Sequence, residues 1–286
     1  MDGTSDLNDT RTADRRPRRR RSRLLDYGLS VALLLIAGLV MAPVAETLMG
    51  RDDLPRGTPS SGKASAQTGT PQPRLSPGLR ACAQESMIGT LVHERTVART
   101  APVPSARAVH DFARITPLGS PQVFLLLEQV AGDDGATWFR ALLPIKPNGT
   151  AGFIEGKDLL VRVTPYRLDL DVRRFKLRLY EGCEPLKTYR VGIGTGRTPT
   201  PRGQFYLTSL IKLSDLGTLY GPYAYGLSGY SEVLDTWKLG GIIGLHGTND
   251  PSSIGRRSSH GCIRMRNGDI IRLVKILPLG TPIAIH

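Results

Sequence analysis

The 286-residue sequence predicts a mostly β protein with an N-terminal transmembrane helix, a small β-barrel, and a larger β-sandwich or barrel that carries one short helix. Three observations predict it. An apolar run follows an arginine cluster, short apolar runs separated by turn signals fill the middle, and strict period-two alternation opens the C-terminal part.

The arginine run from Arg15 to Arg23 precedes an apolar stretch from Tyr27 to Ala45. Roughly 19 residues at about 1.5 Å each rise about 28 Å, close to the thickness of a bilayer's hydrocarbon core. Positive flanking charge keeps the N-terminus in the cytoplasm and sends the chain beyond Gly50 outside. The division is then a basic cytoplasmic tail over 1–23 and a single-pass membrane anchor over 24–49. A cleaved signal peptide is the rival reading. Cutting after Ala42 puts Pro43 directly behind the bond, and cutting after Ala45 leaves Pro43 three positions before it, so the uncleaved anchor is preferred. Arg20-Arg21 offers only a weak twin-arginine signal. Residues 50–85, rich in Pro, Gly, Ser, Thr and Gln, read as a flexible linker.

From 86 to 163, apolar runs at Ile88–Val97, Val109–Ile115, Val123–Val130, Thr137–Leu143 and Gly152–Leu160 predict short strands, with Pro147-Asn148-Gly149 as a turn. Five strands at this spacing suggest a small barrel, with Trp138 as a core anchor. In the segment 164–286, Tyr166–Val172 and Phe175–Tyr180 alternate apolar and polar residues around the Glu181-Gly182 turn. Asn267–Leu277 alone reads as helical, because Ile270, Ile271, Val274 and Leu277 recur at helical spacing. About 120 residues suffice for an independent core.

The formal charge is +13 and the isoelectric point about 10.0. No basic stretch is interleaved with aromatic residues as single-strand binders require, so nucleic acid is not an expected partner. Gly192-Ile193-Gly194 lacks the Gly-Lys-Ser or Gly-Lys-Thr continuation of a phosphate loop. Of three cysteines, Cys82 and Cys183 read either as two free thiols or as an extracytoplasmic disulfide.

The third, Cys262, lies in Ser258-Ser259-His260-Gly261-Cys262-Ile263-Arg264-Met265, where glycines and polar residues give a structural thiol little to bury against. A thiol with a pKa near ~8.5 is only slightly ionised at neutral pH and needs a base to attack. His246, in Leu245-His246-Gly247-Thr248, arrives from another strand and is assigned as general base and acid. His260 shapes the site or orients the leaving or attacking group. Spacing alone does not settle which imidazole does which. A zinc site of His246, His260 and Cys262 is the alternative, but it would have to recruit Asp250 or Asp269 as a fourth ligand. No cofactor and no metal is expected.

At these residues the pattern His-Gly-Thr-Asn followed by Ser-His-Gly-Cys-Ile-Arg-Met resembles the YkuD-type L,D-transpeptidases of bacterial cell walls. The likeness extends to Val191-Gly192-Ile193-Gly194-Thr195-Gly196 and Thr198-Pro199-Thr200-Pro201-Arg202-Gly203-Gln204-Phe205, and it covers about residues 165 to 286. It implies a YkuD-like β-sandwich catalytic domain in which Cys262 attacks a tetrapeptide stem of peptidoglycan, expels D-alanine and passes the acyl group to an amine. It further implies that His246 moves the proton and that Ser259 and His260 are the family's small hydroxyl and second histidine. Backbone amides around Gly261 and Cys262 would hold the oxyanion. Arg264, with Gly247 and Thr248, would contact substrate, and a guanidinium suits a carboxylate; a loop-bonding role for Arg264 is equally open. Carbapenem inhibitors are expected from the family. Two further readings remain: an L,D-carboxypeptidase that hands the same acyl group to water, and a non-catalytic wall-binding protein. The segment from Trp138 to Ile154 resembles bacterial SH3-like domains, which would bind wall peptides or position the enzyme. The resemblance also gives the surplus of roughly eight basic residues over 164–286 a use, as a field that holds the enzyme on an anionic wall polymer.

Overall fold

A computed structural model describes residues 85–214, 218–234 and 238–286. The expected cytoplasmic tail, membrane anchor and nearly all of the linker lie outside these residues. No helix among the described residues is long and apolar enough to cross a membrane.

The N-terminal part is an antiparallel sheet of seven strands: β1 (Ser86–Leu91), β2 (Arg95–Arg99), β3 (Ala108–Ala113), β4 (Val123–Ala131), β5 (Thr137–Leu142), β6 (Ala151–Glu155) and β7 (Leu159–Thr164). Their order is β3-β2-β6-β5-β4-β1-β7, so β3 and β7 are its edges. Two runs expected as single strands are each divided. Ile88–Val97 breaks at the exposed polar pair His93-Glu94, and Gly152–Leu160 breaks at a 3-10 turn over Gly156–Asp158. The two breaks are tied together, because Val92 N–H donates to the Asp158 carbonyl at 2.9 Å and Thr96 Oγ1 to its carboxylate. Trp138, at 1% exposure, is the anchor its sequence position suggested, and Phe124, Leu143 and Ile154 are likewise buried.

The C-terminal part is built on an eight-stranded sheet. Its strands are β8 (Tyr166–Asp171), β9 (Lys176–Glu181), β10 (Glu184–Arg190), β12 (Gly203–Lys212), β13 (Tyr223–Tyr230), β14 (Ile242–His246), β16 (Ile263–Arg264) and β17 (Pro282–Ile285). They run in the order β10-β9-β8-β17-β12-β13-β14-β16, while β11 (Ile193–Gly194) and β15 (Arg257–Ser259) form a separate parallel pair. Period-two alternation puts Leu168, Leu170, Leu177 and Leu179 on one face, and these join Leu227, Leu245, Ile263 and Met265 in a single core. The helix α1 (Asn267–Leu273) ends earlier than its pattern suggested. Pro278 disfavours helical geometry in the residue before it, and the intervening turn tightens, with Ile276 N–H donating to Leu273 O at 3.0 Å.

The two sheets share a buried cluster of Ile88, Val123, Leu125, Leu142 and Tyr206. Polar groups fix the join. The Tyr206 hydroxyl donates to Val123 O at 3.2 Å. From the Pro147-Asn148-Gly149 turn, the Asn148 side chain donates to Tyr230 O at 2.8 Å and accepts from Tyr230 N–H at 2.9 Å. An amide side chain that mimics a strand edge in this way sets position as well as affinity, because both bonds need one geometry.

Candidate active site

Cys262 stands between β15 and β16, and His246 closes β14. The parallel pairing of β14 with β16 sets Leu245 opposite Ile263 and His246 opposite Arg264, so the two motifs, distant in sequence, meet side by side. The Met265 N–H donating to His246 O at 2.7 Å continues that ladder. A Cβ placed on Gly244 would lie 3.4 Å from His246 Cδ2 and 3.6 Å from Cys262 Sγ, which bounds ring carbon and sulfur at no more than about 7 Å apart.

The imidazole has one defined tautomer. His246 Nδ1 lies 2.5 Å from Gly247 O, and since a carbonyl can only accept, Nδ1 carries the hydrogen and Nε2 keeps its lone pair. Tyr220 meets the ring edge-on, with centroids 4.9 Å apart and planes at 64°. Burial drives the imidazole pKa down to about 4, with the Arg264 charge adding to the same effect and the Gly247 bond opposing it. Burial pushes the Cys262 thiol up, against the Gly244 N–H that donates to its sulfur at 3.3 Å and the Arg264 charge. Low dielectric disfavours both charged forms, the thiolate and the imidazolium, so the free protein holds a neutral thiol and a neutral imidazole.

The loop that presents the sulfur is closed by Ser259. Its buried hydroxyl donates to Cys262 O at 2.6 Å and accepts from Gly261 N–H at 3.2 Å. Gly261, at φ 115°, takes a conformation that L side chains rarely adopt. Its N–H, expected as an oxyanion donor, is thus already engaged. The threonine-proline turn grips the same loop from behind: Thr200 Oγ1 donates to Gly261 O at 2.8 Å, and Thr198 Oγ1 to Ser259 O at 3.2 Å.

A cavity of about 690 Å³ opens beside the sulfur. Cys262, His246, His260 and Gly244 form its reactive end, and Ile211, Leu213, Ala224 and Ile242 give it apolar walls. Leu118, from the N-terminal sheet's β3–β4 connection, lines it too. Arg264 is not among the lining residues; its Nε–H is buried without a hydrogen-bond partner among the described residues. Gly247 and Thr248, expected at the substrate, also hold the loop. Gly247 O fixes the tautomer, and Thr248 N–H donates to Asn267 Oδ1 at 2.8 Å. The carboxylates a zinc site would recruit are occupied elsewhere, Asp250 by Ser252 and Asp269 by Arg272. Among the described residues no group of three or more His, Cys, Asp or Glu side chains gathers. Cys183 is held in a disulfide and Cys262 is free; Cys82 lies outside the described residues.

Sequence reasoning brought together Cys262, His246, His260, Ser259 and Gly261, and the structure places them within one loop and one strand end. It missed Gly244, Tyr220, Asn267 and Leu118. Asn267 carried a signal, a side-chain amide opening a helix just after the cysteine motif; Leu118 carried none, since only the docking of two sheets brings it to the cavity.

The profile of the YkuD family, described as the L,D-transpeptidase catalytic domain, matches residues 165–285. Two proteins named "Putative L,D-transpeptidase YkuD" are similar to this chain. That of Bacillus licheniformis is 35% identical over 166 residues, covering 56% of this chain and 92% of the relative. That of Bacillus subtilis is 33% identical over 152 residues, covering 51% and 85%. Among solved structures, "Structure of Bdellovibrio bacteriovorus Bd1075" aligns at 29% identity with a TM-score of 0.35, over 43% of this chain and 47% of that one, so this chain spans about half its length.

Proposed function

This chain belongs to the YkuD-type L,D-transpeptidase family, and on that premise we propose that it cross-links peptidoglycan by way of an acyl-enzyme on Cys262. The single observation that carries the mechanism is the His246 tautomer: with Nδ1–H committed to Gly247 O, Nε2 is the lone-pair nitrogen available to take a proton.

As Cys262 Sγ attacks the carbonyl carbon of the third stem residue, its proton passes to His246 Nε2 and the carbonyl oxygen becomes an oxyanion. Gly244 N–H, which faces the sulfur at 3.3 Å, and the Cys262 N–H would turn to that oxygen as its donors. Collapse breaks the peptide bond, the D-alanine nitrogen takes the proton from the imidazolium, and a thioester remains. An acceptor amine then attacks the thioester, loses a proton to His246, and releases the sulfur, which regains that proton. Arg264 stabilises the developing negative charge through its field, since its guanidinium already weighs on both the thiol and the imidazole. The apolar walls exclude bulk water from the thioester, which supports an amine as acceptor; the products decide between this reading and the carboxypeptidase.

The same reading puts the catalytic sheet on the outer side of the membrane, carried by the segment 24–49, with the N-terminal sheet holding Leu118 in the cavity wall. Disaccharide tetrapeptide given to the chain and to Cys262→Ala, with products followed by mass, tests the proposal. Release of D-alanine with dimer formation supports it, as does a carbapenem mass adduct that disappears in the variant. Tripeptide alone would make the enzyme a carboxypeptidase, and normal turnover by Cys262→Ala would overturn the mechanism.

A further inference from the structure

A second hollow, of about 310 Å³, lies between the two sheets. Phe112, Gln122 and Ile145 face it from the N-terminal sheet, and Ser209, Leu227 and Tyr230 from the C-terminal one. Leu118 and Ile242 line both this hollow and the catalytic cavity, so the two adjoin across that pair of side chains. The Ser209 hydroxyl marks the seam. It lies 2.5 Å from where a Cβ on Gly226 would stand, close by Leu118 Cδ1, and Gly226 itself lines the catalytic cavity.

Ser209 is 1% exposed, and its Oγ finds no hydrogen-bond partner among the described residues. A buried hydroxyl left unsatisfied is a cost that a ligand removes. None of the lining residues is Lys, Arg, Asp or Glu, and the one imidazole among them, His110, is exposed, so an ammonium entering here would lose its hydration without a counter-charge and a carboxylate would meet no buried cation. A purely apolar guest would leave Ser209 unpaired. The chemistry that satisfies both constraints is an uncharged group with apolar faces and hydroxyl or amide edges.

We propose that this hollow binds one uncharged acetamido-sugar unit of a glycan strand while the peptide attached to that strand enters the catalytic cavity past Leu118. The inference rests on the reaction proposed above, because only a peptide-bearing glycan would need both spaces at once.

The test titrates the purified full-length chain, and separately its Cys262→Ala form, with N,N′-diacetylchitobiose, a neutral disaccharide without peptide, followed by NMR. Saturable shifts centred on Phe112, Ser209 and Tyr230 are expected in both forms. Ser209→Ala should weaken binding about threefold to tenfold, the worth of one neutral hydrogen bond. Its melting temperature should not fall, because the removed hydroxyl has no partner among the described residues. Absence of saturable binding, shifts confined to the catalytic cavity, or affinity unchanged in Ser209→Ala would each overturn the site, as would displacement of the sugar by D-alanyl-D-alanine. Sugar binding with no acylation of Cys262 would sink the proposed reaction alone; acylation with no sugar binding would sink this site alone.

Discussion

Gly244 donates its backbone N–H to Cys262 Sγ at 3.3 Å, and the side chain it lacks leaves open the space that the sulfur and His246 both border. A methyl there would sit at ordinary contact distances, 3.4 Å from His246 Cδ2 and 3.5 Å from Tyr225 O, so the fold accommodates it. On the proposed mechanism this is the space that an incoming carbonyl enters. Gly244→Ala is expected to melt within about 3 °C of the parent chain while acylation of Cys262 slows by roughly tenfold or more. Mass-detected adduct formation over time measures this, and an unchanged acylation rate would show that the gap is not on the reaction path.

Ser259 makes a different prediction from the one its place in the motif suggests. Its hydroxyl bonds Cys262 O and Gly261 N–H, closing the loop from inside. Ser259→Ala leaves a buried carbonyl and a buried N–H without that partner, a loss of about 1–3 kcal/mol. Denaturant unfolding should show this loss together with slower acylation. Slower acylation at full stability would instead mean that Ser259 touches the reacting atoms.

Asn267 braces the other side. Its Oδ1 accepts from Thr248 N–H at 2.8 Å, and Thr248 follows the Gly247 carbonyl that fixes the imidazole tautomer. Asn267→Ala should cost about 1–2 kcal/mol of stability and lower the acylation rate, because a loosened Gly247 carbonyl lets the ring sample other orientations. Asn267→Asp keeps the acceptor oxygen and should recover most of the rate. No recovery would point to a role for the amide nitrogen.

What could be read in the sequence follows from how local each signal is. The strands β8 and β9 were visible because Leu168, Leu170, Leu177 and Leu179 alternate over consecutive residues, and Cys262 and His246 stood out as a candidate pair because each sits in a short dense motif. The breaks at His93-Glu94 and at Gly156–Asp158 were hidden inside apolar runs, since an apolar count does not register a turn held by a distant partner such as the bond between Thr96 and Asp158. Gly244 and Leu118 were illegible for the same reason. One matters for the side chain it does not have, and the other reaches the cavity only when two sheets dock through Tyr206 and Asn148.

The neutral state of the His246 and Cys262 pair gives a pH prediction with a definite sign. His246 titrates near 4 when folded against about 6.5 in the unfolded chain, so between these values the unfolded state binds a proton that the folded state does not. Stability therefore rises with pH across that window, and the term, about 3 kcal/mol, is fully present above pH 6.5 and lost as the pH falls to 4. In His246→Gln this contribution is absent, so the difference in unfolding free energy between the two chains should change by that amount from pH 4 to 6.5 and stay flat above, because the carboxylates titrate alike in both chains. The thiol provides a second readout. Burial raises the Cys262 pKa, so without an imidazolium to hold a thiolate, alkylation by iodoacetamide should climb about tenfold per pH unit from 6 to 8. A rate that is already level at pH 6 would mean a preformed thiolate–imidazolium pair, and the concerted proton transfer proposed for the attack would be wrong.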